Sequence, residues 1–126
     1  MARLIVDLDE TITLHARDGY ADAEPNAALI ARLREYKAAG FEIVISTSRN
    51  MRTFEGNVGK INAKTLPVIL EWLQRHAVPF DEVYVGKPWC GEHGFYVDDK
   101  AIRPSEFVRH SLDEIREILR AEKKGR

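Results

Sequence analysis

The chain has 126 residues, 19 basic and 20 acidic side chains for a formal net charge of -1, and 44% hydrophobic residues, the composition of a water-soluble globular domain. That length supports one core without disulfides, and the single cysteine, Cys90, excludes an intrachain bridge and points to a reducing compartment. Near-zero charge argues against a strong grip on nucleic acid or anionic lipid, and the apolar start reaches Asp7 too soon for a signal core or membrane span. One cytoplasmic domain over residues 1–126 is therefore expected.

The run Arg3 to Leu8 is short, β-branched and ends in acids, which predicts a buried strand. Glu10 to Glu24 has no period and reads as a loop or flap. Helix spacing returns from Asn26 to Ala39, with Leu29, Ile30, Leu33 and Tyr36 on one face and Gly40 where a left-handed stop belongs. Phe41 to Ser46 is a second strand, so strand, helix and strand make one parallel crossover.

Arg49 to Lys64 is polar and reads as a long, functional loop. A second helix is expected from Thr65 to His76, with Pro67 in its first turn. Glu82 to Val85 and Gly94 to Val97 read as strands three and four. A last amphipathic helix should run from Ser111 to Glu122, opened by Ser111 and Glu114 at capping-box spacing, with Lys123, Lys124, Gly125 and Arg126 as a frayed, solvated end.

Alternating strands and helices predict an α/β fold, a Rossmann-like three-layer domain with a mostly parallel sheet. Ligands of such sheets bind beyond the carboxyl ends of the strands. Each predicted strand empties into chemistry there: Asp7 and Asp9 after the first, Thr47 after the second, Lys87 after the third, Asp98 and Asp99 after the fourth. Converging carboxylates repel unless a cation sits among them, and oxygen ligands suit Mg²⁺. A hydroxyl and an ammonium beside it would suit a phosphoryl group.

The order of these residues carries a resemblance. Leu4, Ile5, Val6, Asp7, Leu8, Asp9, Glu10 and Thr11 resemble the first motif of the haloacid-dehalogenase-like superfamily of phosphohydrolases, a hydrophobic strand followed by Asp-x-Asp-x-Thr. Ile43 to Arg49 is similar to the second motif, Gly86, Lys87 and Pro88 to the third, and Phe95 to Asp99 to the fourth. Within the superfamily, Ser48 to Lys60 and Gly86 to Gly91 resemble loops of small capsule-biosynthesis phosphatases, which typically carry Ala where this chain has Ser48.

The resemblance implies an Mg²⁺-dependent phosphatase. Asp7 would attack phosphorus, and Asp9 would protonate the leaving oxygen and then activate water. Asp7, the Asp9 carbonyl and Asp98 would hold the metal, with Asp99 and Thr11 in support, while Thr47 and Lys87 would hold the phosphoryl oxygens. Ser46 rivals Thr47 as the phosphate hydroxyl, and Lys60 or Lys64 could replace Lys87. Arg49, Arg52, His15 and Trp89 are the candidates for contacts to the rest of the substrate.

Forty positions separate Asp7 from Thr47 and another forty separate Thr47 from Lys87, too few for the inserted cap domain the superfamily usually carries. The expected partner is a small phosphate ester, such as a sugar or polyol phosphate of surface polysaccharide synthesis, with a homo-oligomer as one way to enclose an open site. A polynucleotide end phosphatase is the alternative, and a decayed phosphate-binding module is the third class. A phosphorelay receiver is disfavoured because its phosphoacceptor would follow the third strand. Cys90, Glu92 and His93 match no zinc spacing.

Overall fold

The computed structural model describes residues 2–15 and 19–125, so three residues of the expected flap, 16–18, lie outside the described residues. The chain divides into two compact units, Met1–Trp89 and Cys90–Arg126.

The first unit is an α/β layer built on three parallel strands: β1 (Arg3–Val6), β4 (Glu42–Ser46) and β5 (Glu82–Tyr84), in the order β1-β4-β5. Leu4 lies opposite Ile43 and Val6 opposite Ile45, while Ile45 in turn lies opposite Val83. The middle strand takes the burial: Ile43, Val44 and Ile45 are all sealed in the core, a continuous apolar run of the kind carried by a strand covered on both faces. Within the expected flap, β2 (Thr13–Leu14) and β3 (Glu24–Pro25) pair antiparallel, and a short 3-10 turn covers Tyr20–Asp22.

Helix α1 (Ala27–Ala38) is the crossover between β1 and β4. Asn26 caps it by accepting the Leu29 N–H at 3.3 Å, and Leu29, Ile30, Leu33 and Tyr36 are all buried, as their spacing predicts. Each such side chain contributes about 1.5–3 kcal/mol by leaving water. Gly40, at φ 98°, ends the helix and turns the chain into β4 within two residues. Asp81 braces the start of that strand by accepting the Ile43 N–H at 2.8 Å. Hydrogen bonds from Lys37, and then that backbone N–H, hold the Asp81 carboxyl below the usual aspartate range.

The expected long loop from Arg49 to Lys64 is partly helical, a correction to the sequence reading. Helix α2 (Val58–Lys64) is capped by Asn57, which accepts the Lys60 N–H at 3.1 Å, and it buries Ile61. The single helix expected from Thr65 to His76 is α3 (Leu66–Arg75), separated from α2 at Thr65. Pro67 explains the break, because it lacks the N–H that a continuous helix would donate to the Ala63 carbonyl. Ile69, Trp72 and Leu73 are buried on α3, and the Trp72 indole N–H donates to the Ala23 carbonyl at 2.9 Å.

The second unit contains α4 (Pro104–Arg109) and α5 (Leu112–Gly125). Helix α4 was not expected, although Pro104 opens it and Glu106 accepts the Arg103 N–H at 2.9 Å, both readable start signals. The capping box of α5 forms as predicted: Ser111 N–H donates to Glu114 at 2.8 Å and Glu114 N–H donates to the Ser111 hydroxyl at 3.2 Å. The Ser111 N–H, and then the Ser111 side chain, hold the Glu114 carboxyl below its usual range. The helix runs through Lys123, Lys124 and Gly125, past the expected end at Glu122.

The fourth predicted strand does not form. Gly94 to Val97 joins no sheet among the described residues, and Phe95, Tyr96 and Val97 are 80%, 53% and 88% exposed. Aromatic and β-branched residues suit a pleated surface, but a ladder also needs a neighbouring backbone. No helix among the described residues is long and apolar enough to cross a membrane.

Candidate active site

Beyond the carboxyl ends of β1, β4 and β5 the first unit gathers most of the predicted residues. The Leu8 carbonyl accepts N–H bonds from Thr11, Ile12 and Thr13 at 3.3, 2.8 and 3.0 Å, which winds the chain after β1 into one tight turn. Glu10 sits in this turn at φ 61°, a conformation that is uncommon outside glycine. The turn brings Thr11 back to Asp7, whose Oδ2 accepts the Thr11 hydroxyl at 3.0 Å, and Thr13 back to Asp9, whose Oδ1 accepts the Thr13 hydroxyl at 3.2 Å. Asn26 locks the turn from α1 by donating to the Thr11 carbonyl at 3.0 Å.

Two cations from the other strand exits meet the two acids. Lys87 lies beyond β5, and its Nζ stands 3.3 Å from Asp7 Oδ1. Arg49, beyond β4, grips Asp9 with two prongs, Nη2 to Oδ1 at 2.7 Å and Nε to Oδ2 at 3.1 Å. The exits are tied together through Thr47: its N–H donates to the Tyr84 carbonyl at 2.9 Å, and its carbonyl accepts the Lys87 N–H at 3.1 Å. Thr47 is buried, and its hydroxyl accepts the Arg49 N–H at 3.1 Å, which leaves that hydroxyl its own proton to donate.

Arg49 differs most from its expected role. Its side chain is buried and committed to Asp9, with the Tyr20 ring 4.1 Å from the guanidinium carbon, so it belongs to the charge cluster itself. Its Nη1 is buried and has no hydrogen-bond partner among the described residues. Such a donor costs stability unless an acceptor reaches it. Arg49→Lys keeps the charge but loses the fork, and it is expected to destabilise the protein by about 1–3 kcal/mol in thermal or urea unfolding.

The remaining predicted contacts fall elsewhere. The Arg52 guanidinium lies 5.8 Å from the Trp89 ring, which is 43% exposed, so these two form a surface pair. His15 has φ 52°, and its N–H donates to the Glu10 carboxylate at 3.2 Å. Asp98 and Asp99 belong to the second unit, where Asp98 accepts the Lys100 N–H at 2.9 Å. Among the described residues no three His, Cys, Asp or Glu side chains stand together as a metal-ligand group.

The donor set nonetheless suits a hard cation. The Asp7 side chain is 36% exposed, the Thr11 hydroxyl and the Lys87 ammonium are at its carboxylate, and Mg²⁺ commonly takes one or two carboxylates with substrate phosphate and water filling the rest. Sequence reading missed Thr13 and Tyr20. Thr13 was readable, since it stands four residues after Asp9 as Thr11 does after Asp7. Tyr20 was not, because only the folded flap lays its ring on Arg49.

A scan against protein-family models and a search of curated proteins each return no match. Among solved structures, the chain is similar to a crystal structure of a structural genomics target from Vibrio cholerae, with 58% sequence identity and a TM-score of 0.95. The match covers 97% of this chain and 99% of that one. At that identity, over nearly the full length of both chains, this chain belongs to the same family as the Vibrio cholerae protein.

Proposed function

We propose that this protein is an Mg²⁺-dependent phosphomonoesterase of the haloacid-dehalogenase-like type, capless and Rossmann-like in its layering, acting through an aspartyl-phosphate on Asp7. The observation that carries this reading is the convergence of Asp7, Asp9, Arg49 and Lys87 beyond three parallel strands, with each acid held by a cation from a different strand exit. Surface ion pairs alone would not require the buried Arg49 Nη1, which has no acceptor among the described residues. A phosphoryl oxygen is the acceptor it lacks.

In the first step Asp7 Oδ attacks phosphorus while the bond from phosphorus to the ester oxygen breaks, and Asp9, which takes a proton from solvent once it has left Arg49, gives that proton to the departing alcohol. In the second, water attacks the phosphoryl group on Asp7 as Asp9 takes up the water proton. The result is alcohol, inorganic phosphate and an unchanged enzyme. Both Asp9 oxygens are engaged by Arg49, so Asp9 must turn from the guanidinium to reach the leaving oxygen. Incoming phosphoryl oxygens compete for Arg49 and Lys87 and allow that turn. The Thr47 hydroxyl donates to the same oxygens, where charge builds during transfer.

Asp7 and the Asp9 carbonyl would hold Mg²⁺, which supplies neutralisation of phosphoryl charge when bound. With two acids against two cations, the cluster has no standing charge excess, so a dianionic ester and a divalent cation can enter together. A small phosphorylated sugar or polyol suits the chain's net charge of -1 better than a polyanion does.

Pure protein assayed against sugar phosphates, polyol phosphates and 3′-phosphorylated oligonucleotides tests this reading. Phosphate release from the small esters with Mg²⁺, lost in EDTA and restored by added Mg²⁺, is the expected result. Release from no phosphomonoester overturns it, and a preference for the oligonucleotides overturns the substrate class.

A further inference from the structure

Three hydrogen bonds hold the Asp9 carboxylate, and they divide unequally between its oxygens. Oδ1 accepts Arg49 Nη2 at 2.7 Å and the Thr13 hydroxyl at 3.2 Å, whereas Oδ2 accepts Arg49 Nε at 3.1 Å and no other donor among the described residues. When Asp9 leaves Arg49, the two oxygens therefore differ. Oδ1 keeps the Thr13 bond, and Oδ2 is released.

We propose that Thr13 is a positioning residue for Asp9: its hydroxyl holds Oδ1 as a pivot while Oδ2 swings away from Arg49 and meets the leaving oxygen. This role rests on the phosphatase reading and adds to it which carboxylate oxygen works and what aims it.

The geometry makes Asp9 the partner that moves. The Arg49 side chain is 1% exposed against 28% for Asp9, and the Tyr20 ring lies 4.1 Å from the guanidinium carbon, so Arg49 is packed in place. Thr13 is equally fixed. It is buried, its N–H donates to the Leu8 carbonyl at 3.0 Å, and it lies opposite Pro25 where β2 pairs with β3. Its branched side chain has few rotamers, so the hydroxyl stays beside Oδ1 after Arg49 is gone.

The same bond decides where the proton sits. In a protonated carboxyl one oxygen donates and the other accepts, and the Thr13 hydroxyl claims Oδ1 as acceptor, which leaves Oδ2 to carry the proton. Oδ2 gives that proton to the ester oxygen as the bond to phosphorus breaks, and Asp9 is left as a carboxylate. The same oxygen then takes the proton of the attacking water. A carboxyl released from Arg49 with no second hold would sample many orientations, and most of them lie out of reach of the leaving oxygen.

Dependence on the leaving group reads this role directly. An alkyl ester must be protonated as it departs, whereas p-nitrophenolate departs as a stable anion, and kcat/KM reports the steps up to that departure. Thr13→Val keeps the shape and loses the hydroxyl. Its kcat/KM on the sugar or polyol phosphate that the wild type cleaves fastest should fall about tenfold to a hundredfold, while that on p-nitrophenyl phosphate should stay within about twofold. Thr13→Ser, which keeps the hydroxyl, should hold both near the wild-type values. Circular dichroism checks the folding of each variant, and Thr13→Ala carries the same test if the valine protein does not fold.

Equal losses on the two esters in the variant without the hydroxyl would make the bond to Asp9 merely structural and overturn the proposal. Wild-type values on both esters would overturn it as well. A Thr13→Ser protein as slow on the alkyl ester as Thr13→Val would show that the hydroxyl is not the acting group. Phosphate release from no ester by the wild type overturns the phosphatase reading itself, and the role of Thr13 falls with it.

Discussion

Asp7→Asn is expected to lower turnover by on the order of a thousandfold or more, equivalent to about 4 kcal/mol of transition-state stabilisation, because an amide cannot serve as the nucleophile. Asparagine matches the carboxylate in shape and can still accept the Thr11 hydroxyl, so the turn after β1 keeps its bond. What the variant loses is the charge facing Lys87 and the atom that would bond to phosphorus. Steady-state phosphate release beside a thermal melt separates the two effects: activity should vanish while the melting temperature moves little. Near-normal turnover would place the nucleophile elsewhere.

Trp72→Ala is the largest stability change expected in the chain, about 3–5 kcal/mol in chemical denaturation. The indole is 1% exposed, so its removal opens a cavity where α3 meets the chain around Ala23. It also strips the Ala23 carbonyl of its donor, which fixes the end of the flap just before β3. Trp72→Phe separates the parts: the ring fills much of the space but donates nothing, so an intermediate loss of about 1–3 kcal/mol is expected. A loss in Trp72→Ala no greater than an exposed substitution gives would mean that the core does not depend on this residue.

Local patterns in the sequence foretold the first unit well. The stripe of α1 and its glycine stop, the strands of β1 and β4 and the polar residues at their exits form where their spacing implies, although β1 is not the buried strand expected: none of its residues is buried and Ile5 is 66% exposed. Such features depend on neighbours a few positions away, which sequence displays. The misreadings arose where longer-range facts decide. The segment from Asn57 to Lys64 looked like loop because its composition is polar, yet the Asn57 cap and buried Ile61 suffice for two turns of helix.

The candidate site was legible in part for the same reason. Asp7, Asp9, Thr47 and Lys87 were expected at a common rim, and the parallel register of three strands supplies it. Arg49 was expected as a substrate contact, and nothing in its spacing says that it reaches back to Asp9. That contact depends on the path of the chain after β4, and its burial depends on Tyr20 from the flap. Gly94 to Val97 carried a strand signal that is sound as chemistry and incomplete as prediction, since strand formation requires a partner that composition does not name.

The most direct measurement of the central claim is a trapped phospho-enzyme. Asp9→Asn, which retains the nucleophile and lacks the group that activates water, is mixed with a substrate found in the ester survey, quenched in acid and digested for mass spectrometry. The account predicts a hydroxylamine-sensitive phosphoryl group on Asp7, absent when Asp7 is also changed to asparagine. A phosphoryl group on any other side chain, or none within a turnover that continues in that double variant, would contradict it.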